Sequence, residues 1–323
     1  MAVLVIADQW DPHADKVCGV LAARSHRYFR LDLDVERLKG TTLLLAGDRQ
    51  EIRTPSDRID LQEVGAVWSR RLSVVLSLQE EHGEQSSGFQ IWKAEWNRHL
   101  YWLYEELRSA YWLNPIVAGG QADNKRRQMH LAQRVGLRMP ETIASNDKAG
   151  LVAFARQHDE VALKFLSQAI VQDERGFLGI YVNKIRAEDL ASFSEQGEQP
   201  VLLQRYVKKD FEVRYTVVGG DHYVCQIESQ RSDKTAVDWR RYDVARTPHR
   251  QIEAPPEVRA AVTEFMSSLS IDFGALDFVV DPDGKWWFLE INANGQWLWI
   301  EDLVGFDISA RIAAMLAQRD GAK

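Results

Sequence analysis

The chain has 323 residues, 45% of them hydrophobic and 27% charged, a composition typical of a globular protein of two or three domains. Its formal net charge of -7 argues against a general nucleic-acid binder, which needs a basic excess. No apolar run approaches the ~20 residues that cross a bilayer, and the only two cysteines are far apart in the sequence, so we expect a reduced, cytoplasmic protein.

Strands and helices alternate over residues 1–118, which predicts a small α/β domain at the N-terminus. The run VLVIA is interpreted as its first strand rather than as a signal peptide, because no basic segment precedes it and no small-residue cleavage site follows. Further strands are expected at residues 28–33 and near Val67.

A long helix is predicted to end before Asn114 and Pro115. Its large apolar residues recur at helical spacing: Trp92, Trp96, His99 or Leu100, Leu103 and Leu107. This pattern favours packing in a core or a dimer over a ligand-binding surface, because large rings at this period suit a buried helix face.

Residues 119–200 are predicted to form a central domain. One helix begins at Lys125 after a cap at Asp123 or Asn124. The strand-like run VALKFL contains Lys164, whose ammonium is costly in apolar surroundings unless an anion such as phosphate meets it. The alternative is a surface lysine whose head reaches water. The polar segment 167–184 is expected to form a hairpin that covers the site.

Residues 201–323 are predicted to form a third domain of antiparallel strands. Gln204, Arg205, Tyr206 and Val207 end a strand, and any backbone groups that the sheet leaves unpaired there can read the edge of an adenine ring. Asp210 follows within reach of a ribose. As isolated residues, these are also compatible with structural roles.

Two further charged residues share a face of the next predicted strand. Arg214 lies two residues beyond Glu212 and can offer a bidentate fork to a carboxylate or a phosphate. A structural ion pair is the alternative for both.

The segment ALDFVVDPDGKWWFLEIN predicts an antiparallel hairpin, because residues 282–284 are a turn signal between two β-rich runs. Glu290 and Asn292 then share one face, and Ile291 takes the other. With an even loop that pairs Pro282 with Lys285, Asp277 lies opposite Glu290. Facing carboxylates repel, and Mg²⁺ bound by these oxygens would remove the repulsion. The alternative is that the acids are solvated residues on an exposed face of the hairpin.

A different turn would change this prediction. A three-residue loop with a bulge at Gly284 would put the two acids on opposite faces of the hairpin and remove the metal site.

Taken in order, six motifs resemble the ATP-grasp superfamily: DNK at 123–125, LK at 163–164, LLQRYV at 202–207, D-x-E-x-R at 210–214, ALDFVV at 275–280 and EIN at 290–292. Within it, the chain is most similar to the ligases that macrocyclise ribosomally made peptides, the microviridin or graspetide class. VWSRR near Val67, the Trp-rich helix and NGQWLW at 294–299 extend the resemblance over nearly the whole chain. One departure is EINAN, where the family often has a second Asn and a Pro after the Glu.

The resemblance implies an ATP-grasp fold with an N-terminal α/β domain, a central domain and a C-terminal antiparallel sheet. It also implies ATP and Mg²⁺, with two ions expected, as cofactors. The nucleotide contacts it implies are Lys125, Lys164, Gln204, Arg205, Tyr206, Val207, Asp210 and Glu212. The metal ligands it implies are Asp277, Glu290 and Asn292. Arg214 and Arg240 are the candidates for positioning the γ-phosphate or the substrate carboxylate.

The same resemblance implies a homodimer whose partner is a precursor peptide with a leader and a core rich in acidic and hydroxyl residues. Asp or Glu side chains of the core would be activated as acyl phosphates and captured by Ser, Thr or Lys, giving ester or amide crosslinks. Two alternatives share the sequence features. One is a ligase that joins an amino acid or a peptide to a small molecule or a protein terminus, and the other is a peptide-binding scaffold without catalysis.

Overall fold

The computed structural model describes residues 1–47, 49–83, 86–166, 170–173, 176–179, 182–193, 199–231 and 247–321. Arg240 and much of the predicted hairpin at 167–184 lie outside these ranges. Among the described helices, none is both long enough and apolar enough to cross a bilayer.

A parallel sheet in the order β2-β1-β6-β7 forms the centre of the N-terminal region, and a separate antiparallel meander contains β3, β4 and β5. The elements are β1 (Ala2–Ala7), α1 (Pro12–Ala23), β2 (Tyr28–Asp32), α2 (Val35–Lys39), β3 (Thr42–Ala46), β4 (Arg49–Arg53), β5 (Arg58–Asp60), β6 (Val64–Ser69), α3 (Leu78–Gly83), α4 (Ser87–Glu106), β7 (Tyr111–Leu113) and α5 (Ile116–Ala122). β1 and β6 are buried along their whole length, as expected of parallel strands that are covered on both faces.

Helix α4 packs against one face of this parallel sheet. Leu100 and Leu103 are fully buried, and Trp92 and Trp96 pack against the same core, which confirms the predicted packing role of the stripe. The choice left open between His99 and Leu100 is settled by this burial in favour of Leu100.

The central region holds an antiparallel sheet in the order β12-β9-β13-β8, with α7 packed on one face. Its elements are α6 (Lys125–Arg134), β8 (Thr142–Ser145), α7 (Lys148–Gln157), β9 (Val161–Lys164), β10 (Ile170–Asp173), β11 (Gly176–Gly179), β12 (Asn183–Ile185) and β13 (Val201–Arg205). The backbones of β10 and β11 pair as a separate antiparallel hairpin. β13 pairs with β8 and β9 although it follows the predicted boundary at residue 200. The boundaries at 118 and 200 stay predictions.

The C-terminal region contains an antiparallel sheet in the order β16-β15-β14-β17-β18. Its elements are β14 (Phe211–Val218), β15 (Asp221–Ile227), β16 (His249–Gln251), α8 (Pro256–Leu269), β17 (Phe273–Val280), β18 (Trp286–Asn292), α9 (Leu298–Val304) and α10 (Ile308–Asp320). Helix α8 covers one face through Phe265 and Met266. Helix α10 returns to pack beside α1 on the N-terminal sheet, so one core joins both ends of the chain. This mixed α/β architecture agrees with the predicted fold class.

Candidate active site

The hairpin of β17 and β18 places Asp277 directly opposite Glu290. The turn that achieves this is not the even loop expected from the sequence. Asp281 N donates to Lys285 O at 3.0 Å, and Gly284 has a φ of +79°, so the loop has three residues and the predicted pairing of Pro282 with Lys285 is wrong.

A second irregularity compensates for the first. The register shifts between Asp277 and Phe278, where Phe278 pairs with Phe288 and Leu289 is left as the extra residue. The inference that a three-residue loop would separate the acids is therefore also wrong, because this bulge restores the register. Ile291 is fully buried and Glu290 is not, as the predicted alternation requires.

Four charged residues form a row across three strands and one helix. Arg214 on β14 pairs in register with Asp277, and its Nη1 lies 3.5 Å from Asp277 Oδ1. Beyond the facing acids, Lys125 Nζ lies 2.5 Å from Glu290 Oε2. The order is cation, anion, anion, cation, so a basic side chain flanks each acid where the two carboxylates would otherwise repel.

The start of α6 fixes Lys125 in this row. Asn124 is the residue that caps the helix, and its Oδ1 accepts from Arg127 N at 3.0 Å. One turn later, Gln128 bonds the backbone of Ile291: its Nε2 donates to Ile291 O at 2.9 Å, and its Oε1 accepts from Ile291 N at 3.1 Å. Gln128 thus acts as a strand partner at the edge of the sheet and holds α6 against β18.

Asn292 lies two residues beyond Glu290 on the same face of β18, opposite Ala275. Its side chain is exposed, and Oδ1 accepts from Asn294 N at 2.8 Å. Nearby, burial raises the pKa of Asp123, against the opposing effects of the hydrogen bond from Ala293 N and the charge of Lys125, and Glu290 raises it further. Asp123 therefore belongs to the same electrostatic environment, although the sequence suggested only a capping role for it.

A pocket lies between the central and C-terminal sheets. It brings together Lys125, Lys164, Gln204 and Glu290, with apolar walls that include Met129, Met139, Phe165, Leu202 and Leu289. Charged groups together with apolar walls suit a ligand with a phosphate part and a flat base. The cavity measures about 50 Å³.

The strand end at 204–207 differs from its expected state. Arg205 N donates to Glu141 O at 2.8 Å and Tyr206 N donates to Glu160 O at 3.1 Å, so the expectation of unpaired groups is wrong for these two amides. For Val207, no backbone hydrogen bond occurs to any described residue. Gln204 is buried, and its Nε2 donates to Thr142 Oγ1 at 3.1 Å.

Five predicted nucleotide contacts lie outside the pocket lining: Arg205, Tyr206, Val207, Asp210 and Glu212. Arg205 forms an ion pair with Glu141 and lies over the ring of Trp287. Tyr206 lines a separate, open surface depression of polar character, and burial raises its pKa to about 12. Asp210 is exposed, and its N donates to Val280 O at 2.8 Å.

Glu212 is buried against a lysine that the sequence analysis did not select. Lys209 Nζ lies 2.7 Å from Glu212 Oε1, and both residues are more than nine-tenths buried. Glu212 shares the strand face of Arg214, as predicted, and the ring of Trp299 lies 5.8 Å from the Arg214 guanidinium carbon. The spacing of Lys209 and Glu212 across the start of β14 is the sequence signal that could have suggested the pair.

A buried network of the N-terminal region supports the loop after β18. Arg70 Nε lies 3.0 Å from Asp11 Oδ2, and Arg70 Nη1 donates to Asn294 O at 2.8 Å. His13 Nδ1 lies 3.2 Å from Asp11 Oδ1, while its Nε2 accepts from Trp297 N at 3.2 Å. Burial opposes the charge of Asp11, but His13 and Arg70 hold the pKa of that carboxyl well below its usual range.

The carboxylates fit a hard divalent cation. Among the described residues, no group of three or more His, Cys, Asp or Glu side chains is placed to hold a metal ion. Mg²⁺ requires fewer, because it is usually bound through one or two carboxylates together with waters and phosphate oxygens. Asp277 and Glu290 present two carboxylates on one face of adjacent strands, and Asn292 lies two residues beyond Glu290 on that face, so the donor set fits such an ion.

Residues 122–316 match the model of the RimK-like ATP-grasp domain. This match covers more than half of the chain, and the chain therefore belongs to the RimK-like ATP-grasp family. It is an ATP-grasp ligase, and ATP with Mg²⁺ are its expected cofactors. None of the curated protein sequences is significantly similar to it.

Several solved structures resemble the whole chain, and two of them, at 25% identity or more, are enzymes in complex with a peptide. A ribosomal-peptide-associated ATP-grasp ligase of Chryseobacterium gregarium, in complex with ADP and a leader and core peptide, has 25% identity and a TM-score of 0.87, covering 98% of this chain and 97% of that one. The macrocyclase MdnC of Microcystis aeruginosa MRC, bound with precursor peptide MdnA, has 27% identity and a TM-score of 0.86, covering 98% and 100%. The predicted resemblance to peptide-modifying ATP-grasp ligases is thus confirmed.

Proposed function

We propose that this ligase phosphorylates Asp or Glu side chains of a ribosomally made precursor peptide and closes intramolecular ester or amide crosslinks through acyl phosphates. The observation that carries the proposal is the row of Arg214, Asp277, Glu290 and Lys125 beside Lys164. Two facing acids between two basic residues suit a bound cation and anionic groups arranged along one line.

The roles follow from the chemistry of each side chain. Lys125 and Lys164 point into one pocket and bind phosphate oxygens. Asp277, Glu290 and Asn292 hold magnesium, which supplies neutralisation of charge during phosphoryl transfer. Arg214, beside the acids and buried near Trp299, orients the carboxylate to be activated.

The size of the pocket implies a movement on nucleotide binding. Its volume of about 50 Å³ is well below the roughly 300–1,000 Å³ of ordinary ligand sites. Phe165 and Leu166 are exposed large apolar residues at the pocket wall, just before the segment proposed as a lid at 167–184. We expect the central and C-terminal sheets to separate at these residues to admit the nucleotide. We expect them to close again during the reaction, because a closed site that excludes water protects an acyl phosphate from hydrolysis.

The substrate class is inferred from the two solved relatives. The Chryseobacterium ligase is described with a leader and core peptide, and MdnC with its precursor peptide. By analogy, the partner of this chain is a precursor peptide with a leader and a core rich in acidic and hydroxyl residues. We also infer a cytoplasmic homodimer that binds no nucleic acid.

The test is mass spectrometry of a precursor peptide incubated with the purified chain, ATP and Mg²⁺. Each ring formed removes one water from the peptide mass. We expect this loss with the unmodified chain and with Asp283→Asn, a control in the exposed turn of the same hairpin. Lys164→Met and Glu290→Gln are expected to abolish it.

Other outcomes favour the alternatives. ADP formation with free amino acids, and no change of the precursor mass, would favour a ligase that acts on a small molecule or a protein terminus. Peptide binding without ADP formation under any of these conditions would favour a non-catalytic scaffold. Full dehydration by both the Lys164 and the Glu290 variants would refute the assigned site.

A further inference from the structure

Helix α4 carries a second stripe that the N-terminal core does not use. Ile91, Glu95, Arg98 and Trp102 follow one another at spacings of four, three and four residues, so they lie on one face of the helix. All four are exposed, and the exposed fractions of Ile91 and Trp102 are 63% and 54%. The core-facing stripe of Trp92, Trp96 and Leu100 lies on another side.

The spacing of the exposed stripe is the same in both chain directions, with an apolar residue at each end and residues of opposite charge between them. If two copies of α4 cross antiparallel about a two-fold axis between residues 96 and 97, Ile91 lies level with the partner's Trp102. In the same arrangement, Glu95 lies level with the partner's Arg98. An isologous interface requires this kind of self-complementarity, in which each contact occurs twice.

The charges favour this pairing over a random apolar contact. Arg98 makes no ion pair with any described residue, and the carboxylate of Glu95 reaches only His99, at 4.0 Å. Antiparallel pairing would give both charges a partner of opposite sign, whereas parallel pairing would set like charges side by side. The exposed Ala94 beside the stripe has a small side chain and permits close approach.

We propose that the α4 stripe, defined as Ile91, Glu95, Arg98 and Trp102, is the surface through which two copies of this chain form a two-fold dimer. The proposal rests on the homodimer inferred above and is independent of the ligase chemistry. The area that one pair of helices can bury is small compared with the roughly 1,200–2,000 Å² that stable interfaces bury. We therefore expect a dimer that dissociates on dilution.

The experiment is sedimentation velocity of the full chain over a wide range of concentration. Glu95→Arg would set an arginine against the partner's Arg98, and Arg98→Glu would set two acids together. Each is expected to raise the dimer dissociation constant about tenfold. The double variant Glu95→Arg with Arg98→Glu restores opposite charges and is expected to return to within about threefold of the original value. Lys16→Glu, at an exposed position of α1, is the control.

Trp102→Ser provides a second measurement that does not depend on charge, and is expected to weaken the dimer more than either single charge reversal. A monomer at every concentration would overturn the proposal. So would a dimer that survives Trp102→Ser and both single reversals, because another surface would then form it. Trp102→Ser could instead lower the affinity for the precursor peptide and leave the sedimenting mass of the protein unchanged. This result would identify the peptide as the ligand of the stripe and would also overturn the proposal. Precursor dehydration, measured in parallel, reports on the ligase proposal separately.

Discussion

Gln128 on helix α6 bonds both the N–H and the C=O of Ile291, the residue between Glu290 and Asn292. A side-chain amide presents the same donor and acceptor as a peptide group, so Gln128 completes the edge of the C-terminal sheet where a further strand would lie. The contact ties the helix that carries Lys125 to the strand that carries Glu290.

Gln128→Met is expected to weaken this connection. Gln128 is only 2% exposed, and methionine retains its length and apolar stem but leaves the Ile291 N–H and C=O without that partner. Each buried group left unsatisfied costs about 1–3 kcal/mol. We expect a lower urea midpoint and weaker ATP binding by calorimetry. Gln133→Met, at an exposed position of the same helix, is the control, and equal effects of the two substitutions would contradict the role of Gln128.

Lys125→Met is expected to make the stability of the chain depend on Mg²⁺. Lys125 forms an ion pair with Glu290 in the structure, and Lys125→Met removes this pair while Asp277 keeps its contact with Arg214. Because the Lys125–Glu290 pair is partly exposed, its loss costs only about 1 kcal/mol. Mg²⁺ should return that stability, so the rise in melting temperature on adding Mg²⁺ is expected to be larger in Lys125→Met than in the original chain.

The matched variant Lys125→Met with Glu290→Gln removes both charges and should show a smaller Mg²⁺ effect than Lys125→Met alone. If Mg²⁺ stabilises all three proteins equally, the acids do not hold the cation.

The sequence predicted the facing of Asp277 and Glu290 but not the way it arises. Alternation along strands indicates which residues share a face, and the burial of Ile291 followed from it, whereas the turn was predicted from the residue types at 282–284. The bulge at Leu289 could not be predicted, because the alternation of residues along β18 does not mark where an extra residue is inserted. Local patterns give faces and turns, whereas offsetting irregularities are set by tertiary packing.

Contacts between distant parts of the chain were predicted only through resemblance. Lys125 and Glu290 are 165 positions apart, and nothing in either motif alone indicates an ion pair. The meander of β3, β4 and β5 at residues 42–60 was not predicted, because its strands are half exposed and their polar and apolar residues alternate weakly. Gln128 was missed because its partner, the backbone of Ile291, is 163 positions away, whereas the spacing of Lys209 and Glu212 could have suggested their pair.

Gly284→Ala is expected to destabilise the hairpin. Gly284 has a φ of +79°, a left-handed conformation that costs other residues about 1 kcal/mol, although no atom lies within 4 Å of an added Cβ. The backbone, rather than a steric clash, should therefore set the effect. We expect a loss of about 1 kcal/mol in urea unfolding. Gly88→Ala, in helix α4 and equally free of close contacts, should instead stabilise by about 0.5–1 kcal/mol. If the two substitutions changed the free energy of unfolding in the same direction, this account would be contradicted.

Asp11→Asn is expected to show that the buried network beneath the loop after β18 depends on a charge. Asp11 caps α1, and asparagine can also cap a helix, so the substitution removes mainly the interaction with Arg70 and His13. The pKa of Asp11 in the folded chain lies below its ordinary value of 3.8. A carboxyl with a lowered folded pKa stabilises the protein above its unfolded pKa, and this contribution is lost as the pH falls through the folded pKa.

The loss of stability in Asp11→Asn should therefore be about 1–3 kcal/mol at pH 7 and should shrink steadily as the pH falls below about 4. Urea unfolding of both proteins between pH 7 and the lowest pH at which they stay folded measures it. Asp147→Asn is the matched control, because Asp147 caps α7 in the same way but is exposed and has no ion pair with any described residue. It should cost less than about 1 kcal/mol. A penalty for Asp11→Asn that is constant with pH, or no larger than that of the control, would mean that the carboxylate charge does not stabilise the network.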